Sequence, residues 1–308
     1  MHSNLILFFF IFFVLQLTAQ PALVEKLGYG PEDKLLIIHA DDLGVAHSEN
    51  KASILAMKVG MVNSASIMMP CPWVSEVADF AKENPGADLG LHLTLTSEWQ
   101  HLKWGPIAPK GQVESLLDSL GFFYDNCLDF GKYAKVEEAE IELRAQIEQA
   151  IKMGIKPTHL DTHMGCLIFN SPELFEVYLK LGREYKMPVL LGRFFLQAAS
   201  PAFLEKITSA DIILEKVMTA SPDDYKTGLS AYYENTLKNI SPGINILLVH
   251  LAFNDAEMQA LSINHPLWGA AWRQQDFDFF TSEKCRQVLK EENIKLITWR
   301  QIQATIQE

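Results

Sequence analysis

The stretch LLIIHADDLG (residues 35–44) carries four apolar residues straight into His39, Asp41 and Asp42. Such a run brings charge to the mouth of a buried strand. Two neighbouring carboxylates repel each other, and the repulsion raises the pKa of one of them unless a cation offsets it. A cation held by one carboxylate leaves the other free to take a proton from water. Histidines recur in similar settings. His92 lies in ADLGLHLTLT (87–96), on the face opposite Leu89, Leu91, Leu93 and Leu95. His159, Asp161 and His163 share one face of KPTHLDTH (156–163) by strand alternation. His250 closes NILLVH (245–250). Two imidazoles and a carboxylate with further positions open form a divalent-metal set, suited to zinc and also to iron, nickel or manganese. The open positions admit water and substrate, so the arrangement suits metal-assisted hydrolysis. Taken singly, each residue has a plainer role: a strand-end histidine is commonly a structural hydrogen-bonding group, and Asp42 could cap the next helix. Their joint placement carries the reading. His101 has no such companion and reads as surface, His2 belongs to the N-terminal leader, and His47 and His265 are assigned no role.

The elements that must deliver these residues alternate between strand and helix. Apolar strands are expected at 35–39, 63–70, 87–96, 156–163, 187–193, 243–251 and 294–299, with 211–219 ambiguous. Helices are expected at 48–60, 74–84, 135–154, 172–186, 222–240 and 282–293, with Pro172 suited to a first turn and Gly60 and Gly154 as stops. Repeated βα units with apolar strands imply a parallel sheet covered by helices. There is no glycine-rich dinucleotide loop, so the expected fold is α/β, a modified TIM-like (β/α) barrel with about seven units, active residues at the C-terminal ends of its strands.

The chain has 308 residues, 48% of them hydrophobic and 21% charged, which is the composition of a globular protein with a core. A net charge of −12 argues against nucleic acid or an anionic membrane surface as partner. Residues 5–17, LILFFFIFFVLQL, are too short for a comfortable membrane span and fit the apolar region of a secretory signal, with small residues near Ala19. The expected organisation is a signal peptide at 1–19, with an uncleaved anchor as the alternative, a single barrel domain at 20–308, and an exported protein, periplasmic or extracellular, with no stable span after signal removal. Cys71, Cys127, Cys166 and Cys285 form no CxxC pair; export permits disulfides, and four buried thiols are equally compatible with the spacing.

These motifs together resemble the YdjC-like carbohydrate deacetylase family, within the wider polysaccharide deacetylases. The resemblance is carried in order by ADDLG (40–44), GMVNSASIMM (60–69), LGLHLTLT (89–96), PTHLDTH (157–163) and NIKLITWRQI (293–302), and it spans about residues 34–302. It implies a barrel of fewer than eight units, one divalent metal ion (zinc or magnesium), and removal of acetyl groups from N-acetylated sugars or oligosaccharides. Carried across by position, Asp42, His92 and His163 would hold the metal, Asp41 would be the general base, and His250 the general acid. After His250 this chain has Leu251 and Ala252 where the family often has Pro-Gly. Trp268 and Trp272 are candidates for stacking on a sugar ring, with core or loop packing as the alternative. The rival functions are a non-catalytic exported sugar- or metal-binding protein on the same barrel, and another metal-dependent amidase or a phosphoesterase.

Overall fold

A computed structural model describes residues 19–307. Residues 1–18, nearly all of the expected leader, lie outside the described residues; Ala19 opens the helix Ala19–Lys26. Among the described residues, seven parallel strands form one sheet. They are β1 (Lys34–Leu43), β2 (Ser64–Ile67), β3 (Leu89–Leu93), β4 (Leu160–Thr162), β5 (Lys216–Thr219), β6 (Gly243–Val249) and β7 (Ile294–Leu296). The order across the sheet is β4-β3-β2-β1-β6-β5.

Strand β1 is the axis of this arrangement. One edge pairs with β6 from Lys34 to Ala40. The other edge is shared: β7 takes Lys34–Leu36, and β2 takes over from His39. Asn63 closes the gap between the two. Its N–H donates to the Ile38 carbonyl, its Oδ1 accepts from the Ile38 N–H, and its Nδ2 donates to the Ile297 carbonyl.

The expected barrel is met in part. The sheet curls, but among the described residues its edges β4 and β5 are joined only through residues 187–193, where Leu160 bridges Val189 and Gly192 bridges Leu214. The strand expected at 187–193 is thus reduced to isolated bridges. Pro188 has no N–H to give, although its carbonyl accepts from Leu160. The expected 222–240 helix is two helices, Pro222–Thr227 and Leu229–Lys238, parted by Gly228 at φ +110°. The final helix Trp299–Gln307 was not expected.

Alternation explains how the sheet carries polar groups. Leu35 and Ile37 face inward with Ile244, Ile246, Leu190, Leu214 and Trp299, a buried apolar floor. His39 and Asp41 continue the same face toward the C-terminal rim. Leu36, Ile38 and Ala40 face the helices and belong to the larger core. A disulfide joins Cys127 to Cys166 and ties the long excursion after β3 to the turn after β4; Cys71 and Cys285 are buried free thiols. No helix among the described residues is long and apolar enough to cross a membrane.

Candidate active site

Adjacent residues of a strand point to opposite faces, so Asp41 and Asp42 should diverge. They do not. Asp42 has φ +69°, and the β1–β2 register slips between Ala40 and Leu43. An irregularity of this kind re-aims a side chain. Both carboxylates come within reach of His250: its Nε2 is 3.7 Å from Asp41 Oδ2 and 3.9 Å from Asp42 Oδ2.

Asp42, His92 and His163 converge from β1, β3 and the turn after β4. Asp42 Oδ1 is 3.3 Å from His92 Nε2 and 3.4 Å from His163 Nδ1. All three residues are buried. The other nitrogen of each ring is held by a carboxylate. His92 Nδ1 donates to Asp161 Oδ1 at 2.8 Å, and His163 Nε2 donates to Glu98 Oε2 at 3.0 Å. A carboxylate only accepts, so in the neutral imidazoles that a cation requires the nitrogens facing Asp42 carry the free electron pairs; without a cation the same carboxylates favour the protonated rings.

Three observations show that this trio fits a divalent cation. Asp42 Oδ1 is buried and has no hydrogen-bond donor. The donor set is two imidazoles and one carboxylate, each imidazole backed by a second carboxylate, as metal-binding histidines commonly are. The 3.3 and 3.4 Å separations match the edge of a tetrahedron around an ion with ligands at ~2.0–2.1 Å, which is about 3.4 Å.

The electrostatics of the site follow from the same contacts. Burial would raise the pKa of Asp42, but Arg273, His163 and His92 hold it well below the usual carboxylate range. Burial opposes charge on His163, yet Glu98 and Asp42 raise it to about 9. His39 is likewise opposed by burial but raised to about 9 by Asp161 and Asp41. Burial lowers His250, which is therefore neutral near pH 7.

His39 and His159 occupy a layer below the trio. His39 Nε2 is 2.9 Å from Asp161 Oδ2 and 3.2 Å from Asp41 Oδ1, and Ser64 and Ser66 complete its contacts. Asp161 thus bridges His39 and His92. His159 stacks on Trp299 at 5.0 Å and bonds Thr158. It fills the space opposite Gly90, where a Cβ would come within 2.3 Å of the ring. His101 is exposed, as expected. Trp272 is buried and stacked between Tyr225 and Trp268, so it packs the core and cannot face a sugar.

Sequence reasoning gave no role to Glu98, Arg273 or Glu49, and placed Asp161 without assigning it one. Arg273 donates through Nη2 to Asp42 Oδ2 at 2.8 Å and through Nη1 to Glu49 Oε1. Only the alternation of KPTHLDTH, which puts Asp161 beside the histidines, was a visible signal. Glu49 lies on the helix His47–Val59 after β1, Glu98 just beyond β3 and Arg273 on the helix Ala270–Phe280, and none of these segments carries a pattern that marks them.

The family model described as YdjC-like protein matches residues 35–291. A carbohydrate deacetylase of Thermus thermophilus is 32% identical over 295 residues, covering 92% of this chain and 99% of that one. One from Thermoanaerobacter pseudethanolicus is 26% identical, covering 86% and 98%. Among solved structures, a protein of Enterococcus faecalis provisionally described as a cellobiose-phosphate cleavage protein superposes with a TM-score of 0.71 at 25% identity. That match covers 87% of this chain and 98% of the other.

Proposed function

Because the chain belongs to the YdjC-like family, we propose that it is a carbohydrate deacetylase that hydrolyses the acetamide of N-acetylated amino sugars or oligosaccharides. The observation that carries the proposal is the convergence of Asp42, His92 and His163 beside Asp41 and His250. A divalent cation held by Asp42, His92 and His163 would polarise the amide carbonyl and acidify water.

The chain's own groups handle the protons. His39 Nε2 lies 3.2 Å from Asp41 Oδ1, and Asp41 Oδ2 is the oxygen nearer His250, so Oδ2 is taken as the basic atom toward the cleft. Asp41 takes a proton from the attacking water as the C–O bond forms. His250 starts neutral because burial lowers its pKa, so it must gain its proton within the cycle. Asp41 Oδ2, 3.7 Å from His250 Nε2, is the near source. His250 then protonates the amine as the C–N bond breaks, and acetate and a free amino sugar leave.

Export belongs to the same reading. It is supported by the Cys127–Cys166 disulfide, since such links persist in oxidising compartments, and by the apolar run at 5–17.

The test is acetate release from N-acetylglucosamine and its oligomers, run beside phosphate release and cleavage of a disaccharide phosphate. Acetate release that a chelator abolishes and zinc or magnesium restores is the expected result. Phosphate release or disaccharide cleavage without acetate would refute the proposal. Activity indifferent to exhaustive chelation would refute its metal.

A further inference from the structure

The helix Ala270–Phe280 touches the site at two points one turn apart. Arg273 and Asp276 lie on the same face by their spacing, and both are buried. Arg273 uses its whole guanidinium. Nη2 donates to Asp42 Oδ2, Nη1 to Glu49 Oε1, and Nε to the Trp268 carbonyl at 2.6 Å. Its carbon lies 5.5 Å from the Trp99 ring centroid. Asp276 holds the strand end that bears His250: Oδ2 accepts the His250 backbone N–H at 2.9 Å, and Oδ1 accepts the Tyr233 hydroxyl at 2.6 Å. The Arg273 carbonyl adds a bond from the Ala252 N–H at 3.4 Å, so the segment after β6 is pinned to this helix twice.

We infer that Arg273 and Asp276 are the positioning residues that set the distance between the two working ends of the site. The inference rests on Asp42 as metal ligand and His250 as proton donor. Arg273 occupies Asp42 Oδ2, so only Oδ1 faces His92 and His163, and Asp42 can offer a cation one oxygen. It also holds a carboxylate that stands on a left-handed backbone, a conformation that costs energy and needs outside support. Asp276 fixes His250 through its main chain and leaves the ring free to move a proton. The two residues divide the work: one acts on cation geometry, the other on proton delivery.

Cobalt(II), titrated by visible absorbance into the full chain, separates these roles from general stabilisation. Arg273→Gln should weaken cobalt binding about 10- to 100-fold. It should also dim the absorption band, because the second Asp42 oxygen becomes free to bind and the coordination number rises. Asp276→Asn should leave the titration and the band as in the parent and lower kcat at unchanged KM. A parent-like titration and band in Arg273→Gln would overturn the first role. A parent-like kcat, or an altered cobalt band, in Asp276→Asn would overturn the second. If Arg273→Gln does not fold, Arg273→Lys decides: one ammonium cannot meet Asp42, Glu49 and Trp268 together, so a parent-like band there refutes the inference. A parent chain that takes up no cobalt overturns the metal reading itself, and this inference with it.

Discussion

Replacing both Cys127 and Cys166 by alanine removes a covalent link between residues 39 apart in sequence. In the chain-entropy account, closing a loop of that size takes about 13 cal/mol/K from the unfolded ensemble, or roughly 4 kcal/mol at 25 °C. The folded state should change little: Cys166 is buried, Cys127 is half-buried, and neither belongs to the trio of proposed ligands. The stability loss should therefore come mainly from a freer unfolded chain. Urea unfolding of parent and double variant, each with and without reductant, reads it directly. The parent's midpoint should fall on reduction, the variant's should not, and the two should coincide once both are reduced. A thiol count on denatured, unreduced parent should find two groups, Cys71 and Cys285, and none reactive while it is folded. Equal midpoints without reductant, or four reactive thiols, would refute the reasoning.

Asp41→Asn should lower turnover by about 10²–10⁴ and keep cobalt binding, whereas Asp42→Asn should lose cobalt; the opposite pattern in the same titration would exchange their roles. Gly90→Ala should cost about 1–3 kcal/mol in urea unfolding, because the new methyl meets the His159 ring, which has Trp299 behind it. His39, raised from 6.5 to about 9, contributes stability that is full below 6.5 and lost as pH rises through about 9. Metal-free protein should thus weaken between those values by about 1.4 kcal/mol per pH unit from this group, and His39→Asn should flatten that slope in unfolding experiments at several pH values.

Much of the site was legible because strands encode it locally. Alternation in LGLHLTLT turns His92 away from its leucines and toward the interior, and in PTHLDTH it sets Asp161 among the histidines. The apolar run before Asp41 announced a buried strand with a charged end. Other features are set by distance rather than by pattern. Arg273 reaches Asp42 and Glu49 across more than two hundred residues, and nothing in WRQQD (272–276) marks it as different from a surface arginine. The role of Asn63, which joins β1 to the segment after β7, is equally invisible until the three meet. The barrel's open seam follows from Pro188 and from pairing too sparse for a ladder, which apolar composition over 187–193 does not reveal.

The left-handed backbone at Asp42 has a consequence for what this lineage can become. L-residues with branched or bulky side chains enter that region poorly, whereas aspartate and asparagine tolerate it. Glutamate would supply the same charge on a longer stem, but it would strain the main chain and overshoot the two imidazoles. Handedness therefore narrows the choice at position 42 before any coordination chemistry does, whichever cation the proposed site would take.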